Sequence, residues 1–219
     1  MSRRNLALLI FSFALIAGCQ KNSKNQEINP PRRGGGPTEQ KPAPVTRALI
    51  FGDSLAYGFG AKSPDVTPAG CLKKITGAES VVRAVPGATT HDIVAQIKAA
   101  TGEAAAIVFL SAGGNDVLED VLGSGFTAEE SVRNFETIAT ELTARKIKVV
   151  YLLAQPPAES AARMARLGRM AETAGFLVFD GMKGFWGDKE LMSDRLHPND
   201  KGYATMCERL VTALNPKKD

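Results

Sequence analysis

From Arg47 onward the chain alternates short, almost unbroken runs of Ile, Val, Leu and Phe with longer stretches of helical spacing. A strand with one wet face alternates apolar and polar residues, whereas a strand covered on both faces has no polar side to show. The runs at 48–51, 81–84, 105–111, 148–153 and 176–180 are of the second kind. The stretches at 68–76, 91–100, 128–146, 158–174 and 199–214 read as helices. Thr67-Pro68 offers an N-cap followed by Pro at the first helical position, and Thr127-Ala128-Glu129-Glu130 spells a capping box. Strand followed by helix, five times over, predicts an α/β fold. Its three layers are a five-stranded parallel sheet with right-handed crossovers and helices on both sides. Ligands of such sheets sit beyond the carboxyl ends of the strands, so the residues that follow each run are the ones to inspect.

The first 46 residues are of another kind. Arg3 and Arg4 precede an apolar run of about twelve residues, 6–17, too short for a membrane span of about twenty. A basic start, a short apolar core and small residues at its end read as a secretory signal over residues 1–18. Its ending, Ile16-Ala17-Gly18-Cys19, resembles the bacterial lipobox, which implies cleavage before Cys19 and acyl chains on that residue; the alternative is an ordinary signal peptide ending near a cysteine. Two or more chains anchor a protein durably. Gln20 after the cysteine is similar to lipoproteins sent to the outer membrane, which places the expected location in the bacterial envelope, on the periplasmic face of that membrane. Residues 19–46, rich in Asn, Lys, Pro, Gly and Gln, read as a flexible tether with a reach of roughly 30 Å. The globular domain is then 47–219.

Charge follows the same division. The whole chain of 219 residues carries +4, but residues 1–46 hold +5 and the remainder −1. A phosphate-backbone binder needs its basic footprint on the folded part, so nucleic acid is not an expected partner.

The chemistry lies after the runs. The first is followed by Gly52-Asp53-Ser54-Leu55, where a Gly lets the backbone bend sharply and present a hydroxyl. The second leads into Val85-Pro86-Gly87-Ala88-Thr89, whose Gly87 offers an unshielded N–H. The third ends in Gly113-Gly114-Asn115-Asp116, with an amide donor on Asn115. Near the C-terminus, Asp194-Arg195-Leu196-His197 sets a carboxylate three residues before an imidazole, ahead of a helix expected to begin at Pro198 or Asn199. Each block alone reads as a turn or a cap.

Together and in this order the four blocks resemble the SGNH/GDSL hydrolase superfamily, most of all its thioesterase I, lysophospholipase and arylesterase branch. The likeness extends to the loop Gln155-Pro156-Pro157. It departs at Pro86, where many members carry Ser, leaving the Gly87 N–H in place and the loop's shape open. The resemblance implies a flavodoxin-like strand order 2-1-3-4-5 and a serine esterase. Ser54 would be the nucleophile, His197 its base and Asp194 the carboxylate that orients the imidazole. The Ser54 N–H, the Gly87 N–H and the Asn115 side chain would form the oxyanion hole. The residue types suit those tasks, since a hydroxyl needs a base to become a nucleophile and imidazole titrates near neutral pH. No cofactor and no obligate protein partner are implied; the expected partners are a small ester or thioester and, through lipid, a membrane. A carbohydrate or cell-wall O-acetyl esterase and a non-catalytic tethered binding protein are the alternative readings.

Other candidates are weaker. His91 stands at an expected helix start, where a solvated role is ordinary, and Asp53 and Asp116 read as carboxylates that hold the loops. Gly58-Phe59-Gly60 begins a dinucleotide fingerprint that Ser63 breaks, and two distant histidines without paired cysteines supply no zinc site. Phe59, Phe126, Phe185 and Trp186 are candidates for lining an acyl or aryl pocket. With Cys19 given to lipid, Cys71 and Cys207 remain, in the first and last helices. The order 2-1-3-4-5 makes those helices neighbours on one face, which predicts a disulfide, the alternative being two buried thiols.

Overall fold

The computed structural model describes residues 47–121, 123, 127–154 and 158–216. The signal, Cys19, the tether, Phe126 and the loop Gln155-Pro156-Pro157 lie outside them. Strands β1 (Arg47–Phe51), β2 (Glu79–Val82), β3 (Ile107–Ser111), β4 (Lys148–Leu152) and β5 (Leu177–Phe179) form one parallel sheet in the order β2-β1-β3-β4-β5. The helices are α1 (Ser54–Tyr57), α2 (Pro68–Thr76), α3 (Thr90–Ala99), α4 (Gly114–Val121), α5 (Ala128–Ala144), α6 (Ala158–Thr173) and α7 (Asp200–Leu214), with a 3-10 turn at Pro64–Val66. Among the described residues no helix is long and apolar enough to cross a membrane.

Successive strand residues point to opposite faces, so the unbroken apolar runs build two cores at once. Ala48, Ile50, Ile107, Phe109, Val150 and Leu152 meet Cys71 and Leu72 of α2 and Tyr203, Met206 and Leu210 of α7 on one side. Leu49, Phe51, Val108, Leu110, Val149 and Tyr151 meet α3, α5 and α6 on the other. Each large side chain so buried stabilises the fold by about 1.5–3 kcal/mol. On the first face the Cys71 and Cys207 sulfurs are bonded, with their Cα atoms 5.7 Å apart.

Three sequence expectations need correction. β2 was expected at 81–84 and lies two residues earlier, with Val82 40% exposed. It is an edge strand, so its apolar residues run past the ladder into a turn. There the Arg83 and Ala84 N–H groups both donate to the Ile50 carbonyl. α4 was not expected, because its first turn is spelled Gly114-Asn115-Asp116, residue types that usually end structure. α3 begins at Thr90, capped by Thr89 in a capping box with Asp92, and α7 begins at Asp200, capped by Asn199. Pro198 is not helical but pairs with Met192 in an isolated antiparallel bridge.

Candidate active site

β1 delivers Gly52 into a space no side chain could share. Its φ is +139°, and a Cβ there would lie 2.3 Å from the Ser111 carbonyl oxygen of β3. The next residue, Asp53, caps α1 by accepting the Leu55 N–H at 3.0 Å. Burial pushes the Asp53 carboxyl above its ordinary range, and hydrogen bonds to Ser111 and the backbone offset that only in part. Ser54 is thereby the first residue of a helical turn rather than part of a loop, partly exposed at the carboxyl end of the sheet.

The other end of the chain folds back onto it. The bridge between Met192 and Pro198 closes a small loop in which the Ser193 N–H donates to the His197 carbonyl at 2.8 Å. Inside the loop, Asp194 Oδ1 accepts the Leu196 and His197 N–H groups at 2.7 and 2.8 Å. His197 Nδ1 lies 2.8 Å from Asp194 Oδ2, and Nε2 lies 2.9 Å from Ser54 Oγ. Desolvation works to raise the Asp194 pKa, but the His197 ring and the two backbone donors outweigh it and hold the carboxyl below its usual value. An ionised carboxylate only accepts, so Nδ1 carries a proton, and in the neutral imidazole Nε2 then turns its lone pair to the Ser54 hydroxyl.

Four contacts fix this loop and the start of α7 against the segment that follows Ser54. The Phe59 ring lies 4.6 Å, centroid to centroid, from the His197 ring, and the Phe59 carbonyl accepts the Tyr203 hydroxyl of α7 at 2.9 Å. Asp200, in the first turn of α7, accepts the Lys62 and Ser63 N–H groups at 2.6 and 3.2 Å.

Opposite stand the donors. The Ala88 N–H closes onto the Val85 carbonyl at 3.0 Å, with Pro86 second and Gly87 third in the turn at φ +85°. Pro then Gly at those places is the signature of a type II turn, which explains how Pro86 is accommodated. No acceptor among the described residues takes the Ser54 or the Gly87 N–H. Asn115 Nδ2 donates to the Ala88 carbonyl at 2.9 Å, which occupies one amide hydrogen and orients the other. Asp116 accepts the Thr90 N–H at 2.9 Å and the Thr90 hydroxyl, and Asn134 donates to that same hydroxyl at 3.2 Å. The first turn of α4 thus grips the chain just after Gly87, at Ala88 and at Thr90.

The remaining candidates fall elsewhere. His91 is exposed on the first turn of α3 and makes none of these contacts. Phe185 is fully buried in the core with Arg209 over its ring, and Trp186, partly buried, packs against the same cluster. Among the described residues no group of His, Cys, Asp and Glu is placed to hold a metal. Sequence reasoning missed Gln96 and Asp200, which both bond backbone atoms of the Ser54 segment. Gln96 carried one signal: it stands three residues after Ile93 and four before Ala100, on the border of the buried stripe of α3.

Known proteins resemble this chain in sequence or in fold. A GDSL-like esterase of Mycobacterium tuberculosis is 29% identical over 210 aligned residues, which span 83% of this chain and 67% of that one. The solved structure of TesA superposes with a TM-score of 0.67 at 22% identity, covering 78% of this chain and 98% of its own. Axe2, an acetylxylan esterase from Geobacillus stearothermophilus, superposes with a TM-score of 0.64 at 16% identity, covering 77% and 94%. The GDSL-like lipase/acylhydrolase family model matches residues 50–205. The chain belongs to that family and is an ester hydrolase.

Proposed function

We propose that the protein is a serine esterase that cleaves small carboxylic esters or thioesters through an acyl-enzyme on Ser54. The observation that carries this reading is the unbroken line of hydrogen bonds from Asp194 through His197 to the Ser54 hydroxyl, at 2.8 and 2.9 Å. Ser54 Oγ attacks the ester carbonyl carbon while His197 Nε2 takes its proton. The carbonyl oxygen, now an anion, receives the Ser54 and Gly87 N–H groups and the second amide hydrogen of Asn115. Collapse of this intermediate breaks the bond to the alcohol or thiol, which leaves with the proton held by His197. A water molecule then repeats the sequence on the acyl-serine, giving up its proton to His197 and releasing the acid. Asp194 stays ionised throughout, keeping the imidazole in one tautomer and stabilising its charged form. The low pKa of Asp194 favours that role, because acidification must go well below neutral before the carboxylate is lost.

Hydrolysis of nitrophenyl acetate by the parent and by Ser54→Ala tests the proposal. The expected loss is about a million-fold in kcat. Equal rates would remove Ser54 from the mechanism. A second reading, a carbohydrate O-acetyl esterase, draws on the likeness in fold to Axe2. A rate that falls steeply from acetyl to longer acyl esters would favour it over the first.

The Leu6-to-Ala17 run, Cys19 and the polar segment after it support a further part of the proposal: a lipid anchor that holds the esterase at the envelope membrane. The protein should fractionate with membranes, and Cys19→Ala should release it.

A further inference from the structure

Gly52 sits where the sheet stops supplying partners. β1 pairs with β2 only as far as Ile50 opposite Val82, after which the β2 chain turns away to make the Gly87 turn. Without a further donor and acceptor, the Gly52 N–H would be left unpaired there and its carbonyl would keep only the Val85 N–H, weakening the turn that presents Ser54. The side chain of Gln96, 44 residues away on α3, fills the gap. Its Oε1 accepts the Gly52 N–H at 2.9 Å, and its Nε2 donates to the Gly52 carbonyl at 3.0 Å. One amide thus meets both polar groups of one residue, as the opposite residue of a hydrogen-bonded antiparallel pair would. The same Gly52 carbonyl accepts the Val85 N–H at 3.0 Å, at the start of the turn that carries Gly87.

We infer that Gln96 is a positioning residue for catalysis, whose amide clasps the Gly52 peptide and so fixes the nucleophile turn relative to the Gly87 donor. This rests on the proposed roles of Ser54 and Gly87. It is independent of any contact with substrate. Gly52 cannot be braced by a side chain of its own, since a Cβ would strike the Ser111 carbonyl at 2.3 Å. The bracing therefore has to come from outside the segment, and of the described residues Gln96 is the side chain that provides it.

The test uses the full chain and nitrophenyl acetate. Gln96→Met keeps the length and volume of the side chain and removes its amide. It should lower kcat by about tenfold to a hundredfold, the cost of a small misplacement of reacting groups, with KM within about twofold of the parent. Gln96→Asn keeps the amide but shortens its reach, and should show the same loss. Should Gln96→Met fail to fold, Gln96→Glu carries the test, because it retains an acceptor for the Gly52 N–H and loses the donor to the carbonyl; its kcat should fall in the same way. A folded Gln96→Met or Gln96→Glu with the parent's kcat overturns the inference, as does a loss carried wholly by KM. Ser54→Ala assayed alongside separates the two claims. Full activity in Ser54→Ala defeats the proposed mechanism, whereas an inactive Ser54→Ala beside a fully active Gln96→Met defeats only the clasp.

Discussion

The two halves of the site are fastened by different means. The half proposed to move protons joins Ser54 to His197, residues separated by 143 positions, so nothing local can hold them together. It is held by tertiary devices: the core shared by α2 and α7, the disulfide between those helices, and the contacts of Asp200 and Tyr203 with the segment after Ser54. The half proposed to donate hydrogen bonds joins Gly87 to Asn115 through the Ala88 carbonyl, only 27 positions from Asn115. It is held by side chains gripping backbone: Asn115 on Ala88, Asp116 on Thr90 and Gln96 on Gly52. A proton relay needs its groups at hydrogen-bonding distance and so depends on global packing. An anion hole needs N–H groups aimed at one point, which local clasps provide.

That contrast can be broken experimentally. The largest effect should come from the disulfide, which closes a separation of 136 residues. On a chain-entropy account, removing it with Cys71→Ser and Cys207→Ser together costs about 5 kcal/mol of stability. Denaturant unfolding measures this, and an unchanged midpoint would show that packing of α2 on α7 suffices. Next is Asn115→Ala, expected to lower kcat by about 100- to 1000-fold while leaving the unfolding midpoint nearly in place. A large loss of stability with little loss of kcat would reverse the division drawn here between chemistry and fastening.

The smallest effect concerns Asp53. Asp53→Ala removes the cap of α1 and should cost about 1 kcal/mol. Asp53→Asn keeps an acceptor for Leu55 and removes the buried charge. Burial has raised the folded-state pKa of Asp53 above its unfolded value, so the native state binds the proton more tightly. The charge therefore opposes folding fully above the raised pKa, and that opposition fades as pH falls through it towards the unfolded value. The stability difference between Asp53→Asn and the parent should shrink along the same path. Unfolding curves from neutral pH to about pH 4 follow it, and a difference that grew on acidification would contradict the sign.

How much of this could be read from residues alone follows the same division. The alternation of Ile50, Phe109 and Leu152 with Leu49, Leu110 and Tyr151 is visible as unbroken apolar runs, so the doubly covered parallel sheet was legible. The candidate residues Ser54, Gly87, Asn115, Asp194 and His197 could be singled out because each stands in a short block at a strand end or before a helix. The fastenings were not. Gln96 and Asp200 bond backbone atoms 44 and 138 residues away, and a backbone partner leaves no mark on the sequence. β2 was misplaced because an edge strand and the turn after it share the same apolar letters, Val81-Val82-Arg83-Ala84-Val85.

The most direct measurement is the covalent capture of the nucleophile. The full chain, treated with a nitrophenyl alkylphosphonate, should gain one phosphonyl group on the peptide that holds Ser54, and His197→Ala should react far more slowly. A parent that hydrolyses nitrophenyl acetate yet carries the adduct on any other residue would contradict the relay from Asp194 through His197 to Ser54.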